Sequence, residues 1–307
     1  MIYPMLMTPG YKSVTWGGTK LKTIYNKPIT SEKTGESWEI SCRTDLPSLV
    51  ANGKFAGKTL YEVYEKYGEE ISGKKNFEFP WLVKFLDAKE SLSVQVHPDN
   101  EYAAENGDGM GKTEMWYVLQ SDKESRLIAG FNRDIDKELM VETAQNGTIA
   151  EYLNSEEVQS GDVFFIPPGT VHAIGAGIFI LEIQQNSDAT YRLFDWNRVD
   201  DNGKPRELHV KKASDVSVLK KSKGLTKPVV LDNGDLLLAE CEYFRTVKRT
   251  VKNETLIKKG MTALIITSGS GSLGDLSLKA GDSVLIPDAV GDIILKGDLE
   301  CVTVTLP

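Results

Sequence analysis

Three histidines in a chain of 307 residues mark where metal chemistry could occur. His97 lies in SVQVHPDN, where strand alternation would place Gln95 and His97 on one face. His172 follows a turn in PPGTVHAI, and Glu114 stands at the start of the predicted strand TEMWYVLQ. Neutral imidazole is the commonest protein ligand of transition metals, and carboxylate or amide oxygens complete mixed sites. These four side chains could together hold a Zn²⁺-like ion.

Each of these motifs also has an ordinary structural explanation. A strand with one wet face would account for the polar trio Ser93, Gln95 and His97. A core histidine with a satisfied hydrogen bond would account for His172. His209, in RELHVKK, has no convergent partners in the sequence, so we expect an ordinary exposed histidine there. The choice depends on the elements that position these residues.

Those elements are predicted to be mainly short β-strands. Several stretches are rich in β-branched or aromatic residues and are separated by Gly, Pro, Asn and Asp, which is typical of a β-sandwich or barrel. These stretches are 79–88, 91–98, 113–120 and 165–174.

Two segments predict helices instead. Residues 58–71 have apolar side chains at the spacing of one helical face. Residues 134–155 indicate two short helices that are interrupted at Asn146-Gly147. The fold is therefore expected to be mainly β with helical insertions.

An internal repeat suggests a second β unit. GDVFFIPPGTVHAIGAG (161–177) aligns with GDSVLIPDAVGDIILKG (281–297), sharing Gly-Asp, an apolar triplet, Ile-Pro and the final glycine. Chance convergence is the alternative, because Gly-Asp turns before strands are common. If the repeat is real, Asp292 takes the place of His172, and the second copy would be a scaffold without the chemistry of the first.

Composition excludes several classes of protein. The net charge of −8 argues against a nucleic-acid partner and requires a local basic cluster for any anionic substrate. No apolar run reaches the ~20 residues of a membrane span, and MIYPMLMTPGYKSVTW does not resemble a signal peptide. Cys42, Cys241 and Cys301 are widely spaced, so we expect free thiols in a reducing cytoplasm.

Taken together, the motifs resemble a known family. A ligand strand followed by G-D-x(4)-P-x-G-x-x-H is similar to the cupin superfamily, and the chain more closely resembles the short bacterial form of the type I mannose-6-phosphate isomerases. The matching stretches are WGG (16–18), GESWEIS (35–41), LSVQVHPDN (92–100), GKTEMWYVL (111–119), IPPGTVHAI (166–174) and QNSDATYRLFDWNR (185–198).

The resemblance implies two jelly-roll barrels, the second degenerate. It suggests a catalytic domain over 1–219 with the helical insertions near 58–71 and 134–155, and a degenerate β domain over 220–307. It also implies one Zn²⁺ per chain, held by Gln95, His97, Glu114 and His172. General cupin spacing would favour Glu101 as the carboxylate ligand, but EYAAEN indicates a loop or helical turn, and the isomerase pattern matches Glu114.

The implied reaction interconverts mannose 6-phosphate and fructose 6-phosphate through a cis-enediol. It needs a general base, a group that stabilises the enediolate and a holder for the phosphate. Zinc suits the second task as a Lewis acid. Arg192 and Lys112 match basic residues of the family's active site, and Glu182 matches a pocket carboxylate. The base stays open among Lys112, Glu182, Asp188 and a metal-bound water.

Trp16, Glu39, Ser93 and Asp188 complete the expected substrate-binding set. Without the resemblance, Arg192 could be a surface ion-pair partner and Lys112 a solvated loop residue. Glu182 lies in an apolar run, so its carboxylate must be paired or functional.

Two other functions use the same barrel. A non-catalytic cupin that binds a sugar or sugar phosphate would need the metal pocket but no acid–base group, so the pair Lys112/Arg192 distinguishes it from the isomerase. An Fe(II) or Mn(II) oxygenase is disfavoured, because a glutamine-containing set of four ligands replaces its usual facial set. The sequence leaves the oligomeric state open.

Overall fold

The computed structural model describes residues 2–199 and 203–307. The predicted fold class, mainly β with helical insertions, is confirmed. The helices are α1 (Lys20–Tyr25), α2 (Leu60–Ser72), α3 (Asn100–Glu105), α4 (Lys137–Asn146) and α5 (Val210–Val216), with 3₁₀ turns at Gly53–Phe55, Ile149–Tyr152 and Asp288–Val290.

The strands are short over most of the chain and longest near its C-terminus. They are β1 (Met5–Thr8), β2 (Gly10–Gly18), β3 (Thr34–Ser41), β4 (Leu49–Val50), β5 (Trp81–Ala88), β6 (Val94–Val96), β7 (Glu114–Ser121), β8 (Arg126–Phe131), β9 (Leu153–Glu157), β10 (Val163–Ile166), β11 (His172–Ile174), β12 (Ile178–Gln185), β13 (Tyr191–Phe194), β14 (Val229–Val230), β15 (Leu236–Glu240), β16 (Arg245–Ile257), β17 (Thr262–Leu273), β18 (Leu276–Lys279), β19 (Ser283–Ile286) and β20 (Ile293–Thr305).

The chain forms two compact units that are not contiguous in sequence. The terminal unit contains both chain ends and comprises Met1–Val14, Thr19–Phe85 and Lys227–Pro307. The central unit comprises Thr15–Gly18 and Leu86–Thr226. This grouping differs from a division at residue 219, because the N-terminal strand β1 pairs with β19 of the C-terminal segment.

The central unit contains two antiparallel sheets. One includes β10, β7 and β12 in that order, and the other has the order β13-β6-β11-β8-β9. Strand β12 is buried along its whole length, as its apolar sequence IFILEIQQ requires, and this burial extends to the polar residues Glu182, Gln184 and Gln185. Such buried polar groups need partners or a function.

The terminal unit contains a nine-stranded sheet. Its order is β14-β15-β16-β20-β17-β19-β1-β4, with β18 beside β17. Its apolar cluster includes Leu264, Ile266, Val284 and Leu295. The predicted β structure of the C-terminal segment is thereby confirmed, since the only helical piece from Val229 onward is the 3₁₀ turn at Asp288–Val290.

Both predicted helical segments are present, and local capping explains their limits. In α2 the Thr59 side chain accepts from the Glu62 backbone while the Glu62 carboxylate accepts from the Thr59 backbone, a complete capping box. In α4 the Asp136 side chain caps the first turn. Gly147 ends α4 with a φ of 83°, which favours glycine, and so produces the predicted interruption.

Candidate active site

One row of side chains crosses three strands of the sheet β13-β6-β11. Gln95 on β6 pairs directly with His172 on β11 and with Arg192 on β13. Residues that are directly opposite in antiparallel strands project from the same face. His97, two positions beyond Gln95, continues that face. Four of the predicted site residues therefore share one surface of this sheet.

A second polar row lies on the sheet β10-β7-β12. Glu114 on β7 pairs with Gln184 on β12, and Trp116 pairs with Glu182. The alternation along each strand puts all four side chains on one face. The Trp116 and His172 rings contact each other edge to face, with centroids 5.3 Å apart. The two polar faces therefore meet inside the central unit.

His97, Glu114 and His172 converge at this meeting point. Their ligand-type atoms all lie within 4.8 Å of one another. Glu114 Oε2 is 3.5 Å from His97 Nε2, and Glu114 Oε1 is 3.4 Å from His172 Nε2. All three residues are at most 1% exposed. The structure thus brings together three residues that are 17 and 58 positions apart in the chain.

The other nitrogen of each imidazole is held by a backbone carbonyl. His97 Nδ1 lies 2.7 Å from Ala189 O, and His172 Nδ1 lies 2.8 Å from Thr170 O. A carbonyl can only accept, so each Nδ1 carries the proton and each Nε2 presents a lone pair to the cluster. Gln95 Nε2 lies 3.4 Å from His172 Nε2, which places the Gln95 amide at the same point.

The ionisation states of His97, Glu114 and His172 follow from their burial and from the nearby ammonium group of Lys112. Burial lowers the pKa of His97 to about 3, with the Lys112 ammonium acting in the same direction, and burial also lowers the pKa of His172. Burial alone would raise the pKa of Glu114, but Lys112 and the neighbouring imidazoles together lower it below its ordinary value. At neutral pH the cluster therefore has two neutral imidazoles and one carboxylate.

Lys112 is part of this cluster rather than a solvated loop residue. It is 6% exposed, and its Nζ lies 3.4 Å from Glu114 Oε2. Its position is fixed by the hydrogen bond from its backbone N–H to Pro98 O. The site thus contains a buried cation beside its buried carboxylate.

Arg192 lies at the β13 end of the row that contains Gln95 and His172, next to a second group of charged side chains. Its Nε donates to Ser93 Oγ at 3.3 Å and its Nη1 donates to Glu207 O at 2.9 Å. Burial and the nearby Arg206 lower its pKa. Close by, the Asp195 carboxylate accepts from both Arg198 and Arg206. Three guanidinium groups against the two carboxylates of Asp195 and Glu207 leave this end of the row positively charged, in a chain whose net charge is −8.

The expectation that His209 is an ordinary exposed histidine is wrong. His209 is half-buried, its Nδ1 accepts from Arg192 N at 3.2 Å, and its backbone N–H donates to Arg192 O at 2.7 Å. It precedes α5 and supports the strand that carries Arg192. Sequence reasoning missed it because its partner is 17 residues away and no periodic pattern links the two.

The remaining predicted residues occupy varied positions. Glu182 is buried, and its carboxylate accepts from Trp116 Nε1 at 3.2 Å. Trp16 is buried in the short Thr15–Gly18 segment of the central unit, and Asp188 is exposed in the turn after β12. Glu39 belongs to the terminal unit.

The Glu39 carboxylate forms a buried ion pair within that unit. Lys27 Nζ lies 2.8 Å from Glu39 Oε1, and the hydroxyls of Ser37 and Ser283 donate to the same carboxylate. Its polar atoms are therefore engaged by residues of its own unit. A direct role of Glu39 in substrate binding stays a prediction.

Comparison with known proteins places this geometry in a family. The profile described as phosphomannose isomerase type I, catalytic domain, matches residues 5–141. The mannose-6-phosphate isomerase ManA of Bacillus subtilis is 38% identical over 310 residues, which cover 97% of this chain and 98% of that protein. The chain belongs to the type I mannose-6-phosphate isomerase family.

Further relatives of this family agree along the whole chain. The mannose-6-phosphate isomerase of Streptococcus mutans is 36% identical, with 98% of each chain covered. The crystal structure of the mannose 6-phosphate isomerase from Bacillus subtilis superimposes with a TM-score of 0.92 at 36% identity, covering 99% of both chains. No helix among the described residues is long and apolar enough to cross a membrane.

The donor set fits the metal that the family resemblance implies. His97 Nε2 and both oxygens of Glu114 are buried and accept no hydrogen bond within the described chain. Tetrahedral bonds of about 2.1 Å separate ligand atoms by about 3.4 Å, which matches the spacing of the Glu114 oxygens from the two imidazoles. Buried acceptors that converge at this spacing, one of them also paired with Lys112, suit a metal ion.

Proposed function

We propose that this chain interconverts mannose 6-phosphate and fructose 6-phosphate through a cis-enediol, with one Zn²⁺ held by His97, Glu114, His172 and Gln95. The observation that carries the proposal is the convergence of buried acceptors, His97 Nε2 and the Glu114 oxygens, beside the row that ends at Arg192. Family membership supplies the substrate class.

The four proposed ligands differ in how their donor atoms are presented. The two imidazoles present Nε2 because their Nδ1 protons are bound to carbonyls. Gln95 would bind through Oε1, which a half-turn of its amide places where Nε2 lies. When bound, Zn²⁺ supplies Lewis acidity for the substrate's C1 and C2 oxygens without redox chemistry.

Arg192 is the proposed stabiliser of negative charge. Its planar guanidinium offers a fixed fork of donors, and Ser93 and Glu207 O orient it. Arg192 is half-buried, so the protein partly excludes water around it, and its charge acts more strongly on an enediolate or phosphate than it would in solvent. Arg198 and Arg206 add positive charge nearby, which suits the phosphate end of the substrate.

The proton-transfer group is proposed to be one of Lys112, Glu182 and Asp188. Lys112 is buried beside Glu114 and Glu182 is buried beside Trp116, whereas Asp188 is exposed in the turn that follows β12. A base must come within hydrogen-bond reach of C2 in the bound sugar. The buried pair suits a reaction from which solvent is excluded.

A coupled assay tests the proposed function. Purified protein should convert fructose 6-phosphate to mannose 6-phosphate, and dialysis against a chelator should abolish the conversion until Zn²⁺ is restored. In D₂O the product should incorporate deuterium, in part or in full, at the carbon that receives the proton, to the extent that the protonated base exchanges with solvent during the lifetime of the enediol. Sugar-phosphate binding without turnover would instead identify a binding protein.

The cellular location is a proposal of the same kind. Cys42, Cys241 and Cys301 are free thiols. Free thiols, two of them buried, suit a reducing cytoplasm where sugar phosphates are metabolised.

A further inference from the structure

Gln184 is a buried amide next to the ligand cluster. It is fully buried, pairs across the sheet with Glu114 and lies on the same face of β12 as Glu182. Its Nε2 donates to Gln185 O at 2.9 Å and to Ser187 O at 2.5 Å. Its Oε1 is buried and has no hydrogen-bond partner within the described chain.

The unpaired oxygen indicates that the two donor contacts determine the orientation of this amide. A buried acceptor without a partner costs about 1–3 kcal/mol. A leucine or methionine of similar volume would fill the same space without that cost. The feature that only the amide provides at Gln184 is its pair of donors, and both of them hold the turn at residues 185–187.

That turn connects directly to the ligand His97. Ser187 Oγ donates to Met110 O at 2.6 Å and accepts from Ala189 N at 3.2 Å. The carbonyl of Ala189 is the group that binds His97 Nδ1 at 2.7 Å. Three hydrogen bonds, joined by the backbone of Ser187 and Ala189, therefore connect Gln184 to the imidazole.

The carbonyl at the end of these hydrogen bonds decides what His97 can do. By accepting from Nδ1–H it selects the tautomer whose Nε2 is free to bind a metal, and it fixes the plane of the ring. If the turn moved, the ring would lose both constraints. Loss of such outer partners typically weakens metal binding by about 10–100-fold.

We propose that Gln184 is a positioning residue that sets the tautomer and orientation of His97 through the turn of residues 185–189. The inference rests on the proposed metal site, but its first consequence, the tautomer of His97, exists in the metal-free protein as well.

The test compares Gln184→Met with a matched control, Ser125→Ala. Ser125 is also in the central unit, is 8% exposed and donates to Ala176 O at 2.7 Å, remote in sequence from the 185–189 turn. Both substitutions remove a buried side-chain hydrogen bond. Zinc affinity is measured by competition with a chelating dye, and the His97 tautomer by ¹⁵N-detected NMR of metal-free protein.

Gln184→Met should weaken zinc binding by about 10–100-fold and should abolish the single Nδ1–H tautomer of His97, whereas Ser125→Ala should change neither. Ser187→Ala, which removes the next link, should act in the same direction and serves if Gln184→Met does not fold. An unchanged tautomer and affinity in Gln184→Met, or equal losses in Ser125→Ala, would overturn the inference. If the wild type binds no zinc, the proposed function fails while the tautomer measurement still decides the role of Gln184.

Discussion

Two turns in different units of the molecule have the same backbone but different surroundings. Gly161 has a φ of +98° and donates to Val118 O, and Gly281 has a φ of +89° and donates to Ile266 O. The aspartate that follows each glycine accepts, through its side chain, from the backbone three residues earlier. The internal repeat in the sequence therefore corresponds to a repeated turn in the structure.

The strands after these turns also pair in the same register. Ile166 lies opposite Glu114, and Ile286 lies opposite Thr262. A third strand of each unit pairs likewise, with β12 beside β7 and β20 beside β17. Each of these pairs has an irregularity at the corresponding place, next to Val118 in one unit and next to Ile266 in the other.

The strand registers identify the residues of the terminal unit that occupy the positions of the site residues in the central unit. Glu114, Glu182 and Gln184 correspond to threonines of the terminal unit, as their positions opposite the matching strands show. The pairs are Glu114 with Thr262, Glu182 with Thr303 and Gln184 with Thr305. The sequence alignment adds His172 with Asp292, and Asp292 is exposed and caps the backbone at Lys259.

The turn and strands that the two units share therefore do not determine which polar residues the strands carry. A threonine hydroxyl can be satisfied by a backbone carbonyl of its own unit. Thr262 donates to Gly260 O, and Thr303 donates to Val247 O on the neighbouring strand. In the central unit, His97 Nε2 and the Glu114 oxygens accept no hydrogen bond among the described residues, although Glu114 is paired with Lys112, so a bound metal or substrate would complete their coordination. The shared turn and strands are compatible with either arrangement.

The largest expected effect comes from replacing His172 in the central unit, and the comparison is with replacement of Asp292, its counterpart in the terminal unit. His172→Ala should reduce bound zinc from about one ion per chain to a small fraction, because one of two nitrogen ligands is lost. Asp292→Ala should retain zinc, since its carboxylate only accepts from the backbone of Lys259. Elemental analysis of the purified proteins measures both.

His97→Ala should behave like His172→Ala, and His209→Ala should retain zinc because its ring nitrogen serves the backbone of Arg192. If the wild type carries no divalent metal, or if Asp292→Ala or His209→Ala loses it as readily as His172→Ala, the two copies do not differ as described.

A smaller effect is expected from one arginine in each unit. Arg192→Ala should lower kcat/KM by about two orders of magnitude, or about 3 kcal/mol of barrier, because a half-buried donor to developing charge is lost. Arg249→Ala is the matched control, because Arg249 pairs with Asp235 and Thr303 in the terminal unit. Steady-state kinetics with metal-loaded proteins measures both variants.

Arg192→Lys should rescue activity only partly, since it keeps the charge but loses the fork of donors. A loss confined to KM would assign Arg192 to the phosphate, and an equal fall in kcat would assign it to the reacting carbons. Normal kinetics in Arg192→Ala would show that Arg192 takes no part in substrate binding or in the reaction.

Local sequence signals predicted α2 and α4, whereas α1 and α5 were not predicted and α3 lies where a loop or helical turn was expected. The capping box at Thr59 and the glycine at 147 act within a few residues, so the pattern alone determines the ends of α2 and α4. Alternation correctly placed Gln95 and His97 near each other. The convergence of His172 and Glu114 is nonlocal, and the family resemblance, rather than spacing, pointed to it.

Nonlocal pairings explain what the sequence could not predict. Met5 pairs with Leu285, and no local pattern relates residues so far apart, so the composition of the terminal unit was not foreseeable. The contacts of His209 and Gln184 depend on turns whose paths the sequence does not specify. A pair of glutamines that ends the apolar run FILEIQQ was the only signal for Gln184.

The smallest effects should come from the two turn glycines, which test the shared backbone itself. A Cβ at Gly161 would meet no heavy atom within 4 Å, whereas a Cβ at Gly281 would lie 2.6 Å from Tyr25 Cβ. Both positions have a positive φ that strains an L-residue by about 1–2 kcal/mol. Gly161→Ala should therefore lower the free energy of unfolding by that amount alone.

Gly281→Ala should lower the free energy of unfolding by about 1–3 kcal/mol more than Gly161→Ala, because the methyl group overpacks against Tyr25 as well as straining the backbone. Urea denaturation of metal-loaded proteins measures both losses, and zinc content should stay unchanged because neither glycine supplies a ligand. Equal losses would mean that Tyr25 moves aside freely. A Gly161→Ala protein as stable as the wild type would mean that the backbone at this turn is not strained by a side chain, and the two turns would then not share the conformation on which the comparison depends.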